Sequence, residues 1–157
     1  MTRIGLISDT HGLLRPEAVR ALQGSDRIIH AGDIVDPQIL AALARIAPVT
    51  AVRGNNDKGA WADALPHTER LHIEALQLYV IHDVKEIDVD PRAAGIHVVI
   101  AGHSHKPQVE RRDGVLFVNP GSAGPRRFKL PVTVGRLDVA GTEVQARIVE
   151  ILHTSSV

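Results

Sequence analysis

The sequence predicts an α/β fold in which two mixed β-sheets pack face to face with helices outside, a four-layer αββα sandwich forming a single domain over residues 1–157. Three observations predict it. In the first third, short apolar runs alternate with stretches of helical period, the signature of a parallel sheet with right-handed crossovers. From about residue 70 the period changes to close-spaced extended runs punctuated by hairpin signals. No internal repeat, low-complexity stretch or linker divides the chain, and its length suits one domain that buries roughly two thirds of its unfolded surface.

Residues 3–8 form the first apolar run, which stops at Asp9-Thr10-His11-Gly12. Pro16 suits a first helical position, and Ala18, Val19 and Leu22 give a stripe of about two turns ending at Gly24. A second strand, residues 27–31, ends in Gly32-Asp33. Asp36-Pro37 then caps a helix in which Ile39, Leu40, Leu43 and Ile46 recur until Pro48. The third strand, 49–53, opens into Gly54-Asn55-Asn56-Asp57. Residues 70–74 and 76–81 read as a hairpin whose second strand ends at His82. Asp90-Pro91 predicts a short helix terminated by Gly95, and 96–100 is a buried strand leading to Gly102-His103-Ser104-His105. Two further hairpins follow: 109–112 with 115–118 around Asp113-Gly114, a type I′ signal, and 132–139 with 143–151 around Ala140-Gly141.

Composition narrows the chemistry. There is no cysteine, which excludes disulfides and thiolate metal sites and leaves any metal to N and O ligands. Lys plus Arg (18) balances Asp plus Glu (18), arguing against nucleic acid as a bulk partner and against a membrane surface. Aromatics are scarce, so stacking platforms for single strands are hard to build. The amino terminus lacks an apolar stretch after a basic segment, and no window approaches about eighteen apolar residues. Neither a signal peptide nor a membrane span is expected, and a cytoplasmic location is the default. Histidine is abundant, at nine residues.

In an open α/β sheet the carboxyl ends of the strands converge on the ligand crevice. Here those ends carry Asp9, His11, Asp33, Asn55 and His82, and a fifth carries His103 and His105. Each alone has an ordinary explanation as a turn, cap or surface residue. Together they are too many for one four-coordinate zinc and suit two five- or six-coordinate ions.

In order and spacing, Asp9-x-His11, Gly32-Asp33, Gly54-Asn55-Asn56-Asp57, His82 and Gly102-His103-x-His105 resemble the motifs of the calcineurin-like metallophosphoesterases. The compact length and Asn119-Pro120-Gly121-Ser122 look like the small bacterial and archaeal phosphodiesterase branch, which also includes the phosphoesterase-like subunit of retromer. The resemblance implies that Asp9, His11 and His105 hold one metal, that Asn55, His82 and His103 hold another, and that Asp33 bridges them. It implies hydrolysis of a small phosphoester, most readily a phosphodiester, through a metal-bridging hydroxide. Two divalent ions acidify water and clamp the oxygens of an in-line displacement. The donor set suits manganese first, with iron, nickel or zinc also acceptable. Relatives of this kind are commonly homo-oligomers.

Two departures stand out. The position after the ligating Asn, where the family carries a leaving-group acid, is Asn56; an amide donates hydrogen bonds but no proton in acid catalysis. Asn56 is expected to meet a phosphoryl oxygen, and Asp57 to orient Asn56 or a neighbouring His as the other catalytic candidate. The residue after His82 is Asp83 where Gly is common. Asn56 keeps a second function open, a weakly active or silent scaffold in protein–protein interaction. A metallo-β-lactamase pattern fails because His103-Ser104-His105 runs into Lys106-Pro107. His30, His67, His72, His97 and His153 read as core or surface histidines, and Arg53 with Arg126, Arg127 and Lys129 as solvated charge or phosphate contacts.

Overall fold

The computed structural model describes residues 1–127 and 129–152. In chain order the first half runs β1 (Thr2–Ile7), α1 (Pro16–Leu22), β2 (Arg27–His30), α2 (Gln38–Ala44), β3 (Val49–Ala51) and the one-turn α3 (Ala60–Asp63). The second half runs β4 (Thr68–Ile73), β5 (Leu76–Ile81), β6 (Val98–Ile100), β7 (Gln108–Arg112), β8 (Val115–Asn119), β9 (Val132–Ala140) and β10 (Glu143–Leu152). Two mixed five-stranded sheets result, ordered β10-β9-β1-β2-β3 and β4-β5-β6-β8-β7. β1, β2 and β3 are parallel, as are β5, β6 and β8. Hairpin partners β4, β7, β9 and β10 supply the antiparallel edges.

Local chemistry accounts for the boundaries. Pro16 opens α1 and its Ala18 and Leu22 are buried. The Asp36 carboxylate accepts the Gln38 N–H at 2.9 Å, starting α2. Asp113 and Gly114 both take positive φ (51° and 79°), the requirement of a type I′ turn. The last turn is Gly141-Thr142, since Ala140 pairs with Glu143, one residue later than the sequence suggests.

Residues 91–95 are a turn and not the expected helix. Asp90 acts as a cap, its carboxylate accepting the Arg92 N–H at 3.2 Å. However, Ala94 N–H returns to Asp90 O and Ile96 N–H to Pro91 O, and Gly95 (φ 76°) leads the chain out after a single turn. Neither α3 nor the 3-10 turn Val84–Glu86 was anticipated; both are too short to show a hydrophobic period.

Aliphatic side chains build the core. Ile4, Leu6 and Ile29 of the first sheet meet Leu78, Val80, Val98, Ile100, Leu116 and Val118 of the second, all buried. Each such side chain contributes roughly 1.5–3 kcal/mol on leaving water. Ile7 and Ile28, on the opposite face, lie under Ala18, Leu22, Ile39 and Leu43 of the helices. The outer face of the second sheet, Tyr79 and Val99, is covered by Val84, Ile87 and Ile96 from the 3-10 turn and the 91–96 segment. Because the central strands of each sheet run parallel, their carboxyl ends share one edge. Within each sheet the pairing continues past the strand ends, Gly102 N–H donating to His82 O at 2.9 Å and Asp9 N–H to Gly32 O at 3.0 Å. His103 N–H joins the two edges by donating to Asp9 Oδ2 at 3.0 Å. Among the described residues no helix is long and apolar enough to cross a membrane.

Candidate metal centre

Asp9 is fully buried at the end of β1. Its Oδ2 accepts from the Ser8 hydroxyl (2.8 Å) and from the His103 backbone N–H (3.0 Å). Its Oδ1 has no hydrogen-bond partner, yet stands 3.6 Å from His105 Nε2, 3.8 Å from His11 Nε2 and 3.9 Å from His82 Nε2. Asp33 follows β2, with Oδ2 3.6 Å from His11 Nε2 and 3.3 Å from His82 Nε2. Asp9, His11 and His105 thus form one group, and Asp33, His82 and His103 another. Within each, one donor atom per residue lies inside 4.8 Å of the others. Asp33 faces a histidine of both groups. Asn55 lines, with His82 and His103, a cavity of about 340 Å³.

These residues fit a pair of divalent cations. Asp9 Oδ1, His11 Nε2, His82 Nε2 and His105 Nδ1 are buried without hydrogen-bond partners. Each such atom costs about 1–3 kcal/mol unless something satisfies it. The His82 Nδ1 sits 2.7 Å from Ala31 O, a contact that fixes Nδ1 as the N–H and turns Nε2 toward Asp33 and Asp9.

Electrostatics follow from the same crowding. Burial opposes a charge on His82, but the Asp33 and Asp9 carboxylates outweigh it and raise its pKa to about 8. Burial would likewise raise Asp33, yet His82 and the Asn56 donors hold it below the usual carboxylate range. Burial raises Asp9, against the pull of His82 and His105. His105 is lowered, mainly by burial, with Asp9 opposing and the Arg127 charge adding to the effect.

The backbone is bent to deliver the side chains. Asp9, His11, Asp33, His103 and His105 all have φ between 46° and 71°. That left-handed region is uncommon for non-glycine residues, though Asp and His tolerate it best. Two glycines allow the loops to close: a Cβ on Gly54 would collide with Asp33, and one on Gly102 with Ser8 and Asp9.

Asn56 is engaged with Asp33, not left free for a phosphoryl oxygen. Its backbone N–H donates to Oδ1 at 2.9 Å and its side-chain amide to Oδ2 at 3.0 Å. Asp57, expected to orient Asn56 or a histidine, does neither. It is buried, and its carboxylate accepts the backbone N–H groups of Asp33, Ile34, Val35 and Gly54 at 2.7–3.0 Å. With those bonds filled it positions the Asp33 loop. Asp83 caps the 3-10 turn through Lys85 N–H and places Oδ2 3.6 Å from His103 Nε2.

His30 is buried, in keeping with a core histidine, and it also spans two loops of the centre. Gly32 N–H donates to its Nδ1 at 3.1 Å, so Nε2 carries the proton and donates to Thr10 Oγ1 at 3.0 Å. Burial, with the nearby His82 charge, lowers its pKa to about 3 and keeps it neutral. A histidine amid isoleucines in residues 28–30 was the available signal. Ser122, whose hydroxyl donates to Asp9 O at 3.0 Å, had none beyond its motif. Arg53 pairs with Asp63 at 3.1 Å and lines the same cavity as Asn55, as does His67. His72 and His97 are exposed, away from the centre, and His153 lies outside the described residues.

Comparison with known proteins identifies the family. Residues 2–142 match the family model of the calcineurin-like phosphoesterase superfamily domain. The chain is 35% identical over 159 residues to a probable metallophosphoesterase of Methanothermobacter thermautotrophicus, covering 93% of this chain and 91% of that one. It is 26% identical over 167 residues to a phosphodiesterase of Methanocaldococcus jannaschii, covering 94% and 99%. A solved structure described as a novel archaeal phosphodiesterase superposes with a TM-score of 0.78 at 25% identity, covering 94% of this chain and 100% of the other. With the family match spanning every strand but β10, the chain belongs to the calcineurin-like phosphoesterase superfamily.

Proposed function

We propose that this chain is a dinuclear metal-dependent phosphodiesterase. The observation that carries the reading is the convergence of three partnerless buried atoms, Asp9 Oδ1, His11 Nε2 and His82 Nε2, with His105 Nε2 3.6 Å from Asp9 Oδ1 and Asp33 facing both groups. Asp9, His11 and His105 would hold one ion, Asn55, His82 and His103 the other, with Asp33 shared. Bound there, two divalent ions would acidify water and draw charge from the phosphoryl group. Manganese is the first choice for loading, and iron, nickel or zinc suit the same N and O donors.

The chain's own residues supply orientation. Ser8 and the His103 N–H fix the Asp9 carboxylate, Ala31 O fixes the His82 ring, and Asn56 holds Asp33. His67, on the cavity wall, offers an N–H donor to phosphoryl oxygens, while Arg53 beside it is held by Asp63 and Asp57 O. In the overall reaction a bond forms from the oxygen of water to phosphorus and the P–O bond to the alcohol breaks. The proton of water ends on the departing alcohol. Asn56 cannot protonate that alcohol, which favours diesters with good leaving groups.

Loading the purified protein with manganese tests this reading. It should carry about two ions per chain and hydrolyse bis-p-nitrophenyl phosphate, and a chelator should remove both ions and turnover together. A fully loaded protein inert toward mono- and diesters would refute the enzyme and favour a scaffold.

A further inference from the structure

We infer that the groove beside the metal centre recognises phosphodiesters in which one alcohol carries a cationic amine, with Glu86 and Asp88 as the residues that receive it. The inference deepens the phosphodiesterase reading and rests on it. Two adjoining cavities, of about 340 and 300 Å³, share Arg53, His67, His82 and Glu86, and so form one groove; Asp88 lines its outer part. At its inner end the His82 side chain, only 6% exposed, presents a partnerless Nε2. A phosphoryl group seated at that end has its ester arms directed either to solvent or along the groove.

The charges lining the groove are not balanced. The Arg53 guanidinium is spent on Asp63 (3.1 Å), with its Nε on Asp57 O (3.0 Å). Asp83 is engaged by Lys85 N–H and faces His103. Glu86 and Asp88 are exposed, and their carboxylates have no hydrogen bond or ion pair among the described residues. An arm with an ammonium group gains both as acceptors. A neutral arm gains neither, and an anionic arm meets like charge. Among the described residues no tryptophan, tyrosine or phenylalanine lines either cavity, so these residues offer no such ring face to a nucleobase.

The test uses the metal-loaded protein and three mixed diesters of p-nitrophenol, whose second alcohol is 2-aminoethanol, ethanol or glycolate. These probes share a two-carbon arm and the leaving group and differ chiefly in the charge at the arm's end. The aminoethyl ester should exceed the ethyl ester in kcat/KM by about five-fold per carboxylate, chiefly through KM, with the glycolate ester slowest. The E86Q/D88N variant should bring aminoethyl and ethyl esters to the same value. Equal rates for all three esters, a preference for glycolate, or a preference that survives in E86Q/D88N would overturn the inference. Calorimetric binding of phosphoethanolamine against ethyl phosphate to the same protein decides the point independently of turnover. Tighter binding of phosphoethanolamine by a protein that hydrolyses no diester would uphold the groove and sink the enzyme; equal binding sinks the groove.

Discussion

The carboxylate of Asp57 holds the backbone N–H of Asp33 at 3.0 Å, and with its other oxygen gathers the two N–H groups that follow. A side chain at the end of one strand thereby shapes the loop that ends its neighbour. Asp57→Ala should lower the stability of the metal-free protein by about 3 kcal/mol, since buried donors lose a charged acceptor. Urea denaturation measures this, and metal affinity should fall with it because the Asp33 loop is freed.

Asp33 faces histidines of both groups. Asp33→Ala should therefore reduce metal content from about two ions per chain to less than one, with activity lost. Elemental analysis of the purified variant checks it, and two retained ions would show that Asp33 is not shared.

Exchanging the Asn56 amide for an imidazole probes position 56 directly. Asn56→His should increase turnover of diesters with poor leaving groups by about ten-fold or more, with little change for p-nitrophenyl esters. An unchanged leaving-group dependence would mean that the side chain remains turned to Asp33.

Metal binding should weaken in acid. His82 in the metal-free protein is raised to about 8, so below that pH it holds a proton that an incoming ion must displace. Affinity therefore rises with pH and levels off above about 8, with a slope of up to about ten-fold per pH unit below it. Calorimetric manganese titrations on either side of neutrality measure the slope.

Val35 adopts φ 72°, a strained conformation for a β-branched residue, at a position 43% exposed. Val35→Asn should stabilise the protein by about 1 kcal/mol, read as a higher denaturation midpoint at unchanged metal content.

The strand ends were legible because each apolar run stops abruptly at a polar residue, so Asp9, Asp33, Asn55, His82 and His103 could be assigned to one crevice. The antiparallel partners were legible from turn chemistry, as at Asp113-Gly114. Asp90 and Gly95 misled because cap and stop signals five residues apart enclose one turn, too few for i to i−4 bonds to propagate. What the Asn56 and Asp57 side chains bond to was not legible at all. It depends on how close two loops from different strands approach, and no periodicity encodes that. His30 escaped for the same reason: its partners Thr10 and Gly32 come from separate segments.

The left-handed backbone at Asp9, His11, Asp33, His103 and His105 bears on how such a protein ages over generations. Glycine would relax the backbone at every one of those positions, though at Asp9 and Asp33 it would also strip the acceptors of Ser8, the His103 N–H and Asn56. A lineage released from gripping cations therefore drifts first at the histidines and gains thermal robustness there. Reactivity would vanish while both sheets endured, and an inert descendant should carry glycine or asparagine around the rim where its ancestor kept aspartate and histidine.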